Sequence, residues 1–236
     1  GPGAHVLDVG CGAGKAASVI RDIVGPSGRV VGVDFSPSRI KYATEHYGQP
    51  DNISFEQKDF TQPMDDLGQF DFIWVRFVLE YFSKEARDIV ANLVRNLKPQ
   101  GRLCLLDLDH NALNHYPLLP AMEQVIKAAM DYMARTHNFD PYAGRKLYAH
   151  MYDLGFRDIR MHMVPHHLIY GELLPQDAFN WERKMKMWTS LAKDIFAGYP
   201  GGVDGFTKDF YKLAHDPRRF TYTPMIICHG LKPEVS

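Results

Sequence analysis

The chain has 236 residues, of which 45% are hydrophobic and 23% charged, and this length suits one domain with a full core. A formal net charge of −1 supplies no basic field to attract nucleic acid or an anionic membrane. No apolar run reaches the length of a membrane span, no signal peptide precedes the first predicted strand, and the odd cysteine count is typical of a reduced compartment. We therefore expect a cytoplasmic protein.

The chain opens on a strand, a glycine loop and a helix. The strand is predicted over 5–9, the loop has glycines at alternate positions of 10–14, and the helix is predicted over 14–24. This order is typical of a nucleotide-binding α/β domain. A second strand, predicted over 29–33, ends at Asp34, where a carboxylate is placed to accept hydrogen bonds from both ribose hydroxyls of an adenosine cofactor.

The glycine spacing leaves more than one cofactor open. Counted from Gly12, the pattern G-x-G-x-x-A ends at Ala17 and fits a dinucleotide loop, whereas counted from Gly10 it fails at Lys15. A phosphate-cradling loop is excluded, because Ala16 follows Lys15 where a hydroxyl is required. An NAD-dependent oxidoreductase therefore remains an alternative.

Strands and helices keep alternating through the first half. Ser36 is predicted to cap the second helix, with Pro37 in its first turn. A helix over 83–97 has one apolar stripe and Ser83 as its predicted cap. The remaining strands predicted here are 53–57, 70–75 and 102–108. The alternation predicts a parallel sheet with helices on both faces.

The second half has a different character. A crossover helix is predicted over 142–154, and two further strands are predicted over 156–170 and 220–231. Before the crossover helix, one apolar helical stripe is predicted from Leu118, Met122, Val125, Ile126, Ala129 and Met133. Between the two strands, a continuous helical face is predicted over 181–199 from Trp181, Met185, Trp188, Ala192, Ile195 and Tyr199. We expect two helical additions, about 111–140 and 172–216, over the carboxyl ends of the strands, where open α/β sheets bind ligands.

Four motifs in order resemble class I S-adenosylmethionine-dependent methyltransferases. They are Asp8-Val9-Gly10-Cys11-Gly12-Ala13-Gly14, Val31-Gly32-Val33-Asp34-Phe35-Ser36, Phe70-Asp71-Phe72-Ile73-Trp74-Val75-Arg76 and Leu97-Lys98-Pro99-Gln100-Gly101-Arg102-Leu103. Gln100 stands where the family usually has glycine. The resemblance implies a Rossmann-like α/β fold with a seven-stranded sheet, parallel except for the last strand. It also implies a small-molecule methyltransferase, broadly similar to quinone-biosynthesis and natural-product enzymes, with S-adenosylmethionine as its cofactor.

The resemblance also implies a set of cofactor-binding residues. They are Asp8, Gly10, Cys11, Gly12, Gly14, Asp34, Phe35, Ser36, Arg39, Asp59, Phe60 and Arg76. In the family, the acid after the third strand meets the adenine amino group, which assigns that role to Asp59. Phe60 can then pack on the adenine face. The alternative for Asp59 is a solvated loop acid.

Catalytic and substrate residues are weakly marked, because the methyl group of a sulfonium is already activated and a general base is needed only for a protonated acceptor. His110 and Tyr81 are the candidate catalytic residues. The acceptor site is expected to include Arg76, Tyr81, His110 and Tyr116. The alternatives are a loop histidine without a catalytic role and a structural salt bridge of Arg76.

Several other expectations follow from composition and spacing. No metal site is expected, because His162, His166 and His167 have no cysteine or carboxylate at ligand spacing. The aromatic and methionine-rich additions suit an apolar or aromatic acceptor. We expect a single methyltransferase domain over 1–236 with its cofactor-binding core at about 1–110. A non-catalytic cofactor-binding protein remains a further alternative.

Overall fold

The computed structural model describes residues 1–110 and 114–233. The helices and strands, in chain order, are β1 His5–Val9, α1 Lys15–Val24, β2 Arg29–Asp34, α2 Pro37–Tyr47, β3 Ile53–Gln57, β4 Phe70–Arg76, α3 Ala86–Arg95, β5 Leu97–Leu108, β6 His115–Tyr116, α4 Pro120–Thr136, α5 Ala143–Asp153, β7 Arg157–Tyr170, α6 Pro175–Leu191, α7 Lys193–Ala197, α8 Gly202–His215 and β8 Phe220–Leu231. They fall into two compact units. The first comprises Gly1–Asp107, Ala143–His162 and Ile226–Ser236, and the second Leu108–Tyr142 and Met163–Met225.

The strands form a sheet in the order β3-β2-β1-β4-β5-β8-β6, with β7 also paired to β8. The first five strands in this order are parallel, so that Leu7 of β1 lies between Val31 of β2 and Ile73 of β4. β8 runs antiparallel to β5, because the backbone N–H of Lys232 donates to Gly101 and that of Asp109 to Pro224. The predicted Rossmann-like α/β fold is confirmed.

The predicted number of seven strands is wrong. The described residues form eight strands, and the additional one is β6, a two-residue strand in which His115 pairs with Thr221 at the start of β8. Two residues are too few to show the alternation of apolar and polar positions that identifies a strand in a sequence.

The first unit has a continuous core on the sheet. Leu7, Ile73 and Leu103 are fully buried there, together with the apolar stripe of α3. The predicted cap of α3 is wrong, because Ser83 lies in a turn closed by the hydrogen bond from Glu85 N–H to the Phe82 carbonyl, and the helix begins only at Ala86. Ser36 does cap α2, where its hydroxyl accepts from the Arg39 N–H.

Phe55 of β3 packs against two glycines. A Cβ at Gly32 in β2 would lie 2.7 Å from the Cδ1 atom of Phe55, and a Cβ at Gly14 would lie 2.9 Å from its Cζ atom. Real Cβ atoms do not approach so closely, and both positions therefore require glycine while this ring is present.

The second unit is built on four helices with their own core. Phe196, Phe206 and Met122 are fully buried in it, and the rings of Phe196 and Phe206 lie 4.6 Å apart. The predicted stripe of α4 is confirmed. The continuous helical face expected over 181–199 is interrupted at Ala192, whose φ of −112° and ψ of 37° separate α6 from α7. The first three residues of the addition expected over 111–140 lie outside the described residues.

Candidate functional site

The three glycines of the loop after β1 have positive φ angles of 57° to 83°, but they differ in their surroundings. A Cβ at Gly10 would lie 2.4 Å from Cγ2 of Val78, and one at Gly14 would lie 2.8 Å from Cβ of Ala43. A Cβ at Gly12 would meet nothing within 4 Å. Packing therefore requires glycine at the first and third positions, whereas Gly12 borders open space.

A cavity of about 320 Å³ opens beside this loop in the first unit. Its lining comes from the end of β1, the start of α1, α2 and the end of β4. The lining residues are Asp8, Gly10, Cys11, Gly12, Ala13, Lys15, Ala16, Arg39, Arg76, Phe77 and Tyr81. The structure thus brings together predicted residues that are up to 73 positions apart in the sequence, from Asp8 to Tyr81. The predicted site did not include Ala13, Lys15, Ala16 and Phe77. Their positions within or beside the named motifs could have indicated them.

Asp34 fastens the loop to the end of β2. Its Oδ2 accepts a 2.9 Å hydrogen bond from the Gly12 N–H, its Oδ1 accepts one of 2.9 Å from the Ser36 N–H, and Arg39 Nη1 lies 3.9 Å from Oδ2. Each carboxylate oxygen retains a second lone pair. The predicted bonds to ribose hydroxyls are thus compatible with the bonds to the loop, and they stay a prediction.

Asp8 is a buried acid in the cavity wall. It is 2% exposed, and its Oδ2 atom has no hydrogen-bond partner among the described residues. Burial raises its pKa to about 7, an effect that the positive charge of Arg76 opposes and the negative charge of Asp34 increases. Burial likewise raises the pKa of the Cys11 thiol, which therefore stays protonated and is a packing group rather than a nucleophile.

Tyr81 lines the cavity beside two buried acids. The backbone N–H of Glu80 donates a 3.1 Å hydrogen bond to Asp107 Oδ2. Burial, with the negative charges of Glu80 and Asp107, raises the pKa of Tyr81 above its ordinary range. A hydrogen bond between the phenol and the Glu80 carboxylate adds to this effect, so the phenol stays protonated at neutral pH and does not serve as a base.

The residues predicted around adenine lie at the ends of β2 and β3. The Phe35 and Phe60 rings meet edge to face with centroids 4.4 Å apart. Phe60 is buried, whereas Phe35 is 37% exposed and is the ring of this pair that borders solvent. Asp59 Oδ1 accepts bonds from the N–H and hydroxyl of Thr61, which closes a local turn. Contacts of these residues with adenine stay predictions.

His110 and Tyr116 belong to the second unit. The His110 ring lies edge-on to Tyr142, with 5.0 Å between centroids, and Tyr116 is 71% exposed. Their expected roles toward an acceptor stay predictions. Among residues 1–110 and 114–233, no group of three or more histidine, cysteine, aspartate or glutamate side chains is arranged to hold a metal ion.

Comparison with protein-family models gives one match, described as a methyltransferase domain, over residues 1–167. A ubiquinone/menaquinone biosynthesis C-methyltransferase of Ectopseudomonas mendocina is 30% identical over 68% of this chain and 60% of that protein. A demethylmenaquinone methyltransferase of Lactococcus lactis is 28% identical over 56% of this chain and 52% of that protein. The chain spans about half the length of the curated relatives it matches.

Among solved structures, the chain is similar to phosphoethanolamine N-methyltransferase 2 of Haemonchus contortus. The TM-score is 0.57 at 18% identity, and the match covers 99% of this chain and 49% of that one. That enzyme was solved with phosphomonomethylethanolamine and S-adenosylhomocysteine. At this identity the likeness concerns the fold alone.

In the part of the chain that the structure describes, no helix is long and apolar enough to cross a membrane.

Proposed function

The chain belongs to the family of methyltransferase domains, and from this premise we infer that it transfers the methyl group of S-adenosylmethionine to a small-molecule acceptor and releases S-adenosylhomocysteine. The observation that carries this proposal is the cavity beside the glycine loop. Gly12 is the loop glycine without a neighbour that excludes a Cβ, and it borders the space that a ligand would fill. A cofactor lying against bare backbone at this position explains why glycine is present there.

The charged groups of the cavity fit the two ends of an amino acid. Asp8 offers a buried carboxylate oxygen to an ammonium group, and Arg39, Arg76 and Lys15 surround the same space with positive charge that suits a carboxylate. S-adenosylmethionine carries both of these groups and supplies a methyl activated by the sulfonium. Asp34 is proposed to accept the ribose hydroxyls, and Phe35 and Phe60 with Asp59 are proposed to flank the adenine.

The chain's own part in the reaction is to position the reactants and exclude water. Tyr81 is proposed to contact the acceptor at the cavity wall, with its phenol held by the hydrogen bond to Glu80. His110 is proposed as a proton acceptor for a protonated substrate, with Arg76 and Tyr116 contacting the acceptor. Loss of turnover with unchanged cofactor affinity in His110→Ala and Tyr81→Phe would support these roles.

We propose an apolar or aromatic acceptor. The names of the quinone-pathway relatives support this class. The proposed setting is a single cytoplasmic methyltransferase domain without a nucleic-acid or membrane partner.

Calorimetric titration with S-adenosylhomocysteine, NAD and NADP tests the cofactor. We expect S-adenosylhomocysteine to bind and both dinucleotides to fail. Binding of NAD in its place would favour the oxidoreductase alternative, which the pattern from Gly12 to Ala17 supports. Transfer of a labelled methyl group to any member of a panel of hydroquinones and phenols would then eliminate the non-catalytic alternative.

A further inference from the structure

The second unit contains a buried arginine with an unusual hydrogen-bonding state. Arg219 is 3% exposed, and its Nε donates a 2.7 Å hydrogen bond to the Ala214 carbonyl. Its Nη1 and Nη2 atoms are also buried and have no hydrogen-bond partner among residues 1–110 and 114–233. Burial lowers the pKa of Arg219, and the negative charges of Asp177 and Asp216 oppose this effect, but neither carboxylate accepts a hydrogen bond from Nη1 or Nη2. Burying a donor without an acceptor is costly, so these Nη groups call for a partner.

Arg219 lines a small void that accommodates about one water-sized group, with a volume of about 10 Å³. His115 and Thr221 provide the other polar atoms of its lining, and they already pair with each other, His115 Nδ1 lying 2.9 Å from Thr221 Oγ1. Because Nε is occupied, a ligand can meet Arg219 only end-on, across its two Nη groups. A single anionic oxygen at that place would accept a charge-assisted hydrogen bond from each Nη group.

A larger cavity of about 460 Å³ lies beside this void, between α6 and α8. The two spaces share four lining residues, which are Leu173, Trp181, Phe210 and Ala214. A volume of this size suits a single small molecule.

The walls of the larger cavity offer mainly apolar contact. Trp181, Met185 and Phe210 supply aromatic and thioether surface. The hydroxyls of Thr189 and Thr207 donate to the backbone carbonyls of their own helices. Glu182 and Lys186 are paired with each other at 3.0 Å. The rings of Tyr211 and His215 stack at 3.9 Å, and His215 Nδ1 lies 2.9 Å from the Tyr211 carbonyl. Among the described residues that line these two spaces, the buried side-chain atoms without a hydrogen-bond partner are Nη1 and Nη2 of Arg219.

We propose that the second unit binds a small monocarboxylic acid with an apolar or aromatic body. The body occupies the cavity between α6 and α8, and one carboxylate oxygen enters the void and accepts hydrogen bonds from Nη1 and Nη2 of Arg219. A void for one oxygen-sized group beside one guanidinium favours a carboxylate over a bulkier and more highly charged phosphate. None of these residues lines the glycine-loop cavity, so the outcome is independent of the proposed methyl transfer.

The test is calorimetric titration of the whole chain with phenylacetate, with its neutral analogue phenylacetamide, and with acetate. We expect phenylacetate to bind at least about tenfold more tightly than either of the others, since hydrogen bonds between charged partners are strong. Arg219→Gln should remove this preference. The control Lys127→Gln removes a charge of the same unit that is exposed and paired with Glu123, and it should change the affinity less than about twofold.

The proposal is overturned if phenylacetate and phenylacetamide bind equally, because the charge then has no role. It is also overturned if acetate binds as well as phenylacetate, because the apolar cavity then has none, or if no probe binds, because solvent alone then satisfies Arg219. Should Arg219→Gln fail to fold, Arg219→Lys keeps the charge but loses the fork, and it should weaken phenylacetate binding without changing the affinity for phenylacetamide. In either case, the preference of the unaltered chain for phenylacetate over phenylacetamide and acetate tests the proposal.

Discussion

The backbone N–H of Gly12 donates a 2.9 Å hydrogen bond to the carboxylate of Asp34. This bond joins the loop after β1 to the end of β2, and Asp34 also accepts from the Ser36 N–H at the start of α2. The acid that a sequence pattern assigns to ribose binding therefore has a second role, since it shapes the loop that borders the cavity.

We expect Asp34→Ala to weaken the binding of S-adenosylhomocysteine at least about tenfold, because hydrogen bonds to a charged group contribute roughly 1.5–3 kcal/mol each. The thermal midpoint should also fall, since two backbone N–H groups lose their acceptor. Calorimetry and thermal unfolding measure the two effects. The control is Asp22→Ala on α1, whose carboxylate is exposed and pairs with Arg21. Unchanged affinity in a folded Asp34→Ala protein would remove Asp34 from the cofactor site.

Gly12→Val should abolish binding of S-adenosylhomocysteine while the protein stays folded, because the new side chain points into open space at the cavity. A positive φ makes any side chain costly here, by roughly 1–2 kcal/mol. Gly171→Val is a control for this strain, since Gly171 also has a positive φ, of 67°, and nothing within 4 Å, but it does not line the cavity. Equal affinities of the two variants would show that Gly12 does not border the cofactor.

The raised pKa of Asp8 predicts a pH dependence of stability. Its carboxyl ionises near 3.8 in the unfolded chain and near 7 in the folded protein. Between these values the folded state holds a proton that the unfolded state has released, so the free energy of unfolding falls as the pH rises and levels off above about 7. Asp8→Asn removes this contribution, and its thermal midpoint relative to the unaltered chain should rise from pH 4 to pH 7. Parallel curves for the two proteins would contradict the assignment.

Phe196→Ala should destabilise the second unit by about 3–5 kcal/mol, because it removes a fully buried ring that packs against Phe206. The control is Phe179→Ala, at an aromatic position that is 57% exposed, and its effect should stay within about 0.5 kcal/mol. Urea denaturation monitored by circular dichroism measures both. A similar loss in the two variants would place the core of this unit elsewhere.

Much of the fold was predictable from local pattern. β3 and β8 have the predicted bounds, because polar or charged residues flank segments in which apolar residues alternate with polar ones or follow one another. The start of α3 was predicted too early, because serine is a residue type that commonly caps helices and Ser83 precedes the apolar stripe. In the structure, the hydrogen bond from the Glu85 N–H to the Phe82 carbonyl closes a turn before the helix begins.

The site was predictable in outline but not in its detail. The motifs placed Asp8, Gly12 and Arg76 at one edge of the sheet, where they line the same cavity. Which loop glycine faces open space depends on Val78 and Ala43, which are distant in sequence and meet the loop only in the folded chain. The sequence did not indicate that Arg219 is buried, because arginine is usually exposed and its burial here depends on tertiary packing alone.

The contact of Phe55 with two glycines has a consequence for sequence divergence. Gly32 has no positive φ, so the Phe55 ring and the Cys11 sulfur, rather than the backbone, forbid a larger residue there. Alanine at position 32 should be tolerated in a saturation library only when position 55 has lost its ring, whereas Gly14 keeps its restriction in any background because its φ is 83°. One aromatic side chain on β3 thus limits which substitutions its neighbours can accumulate, and positions 32 and 55 should change together over evolutionary time.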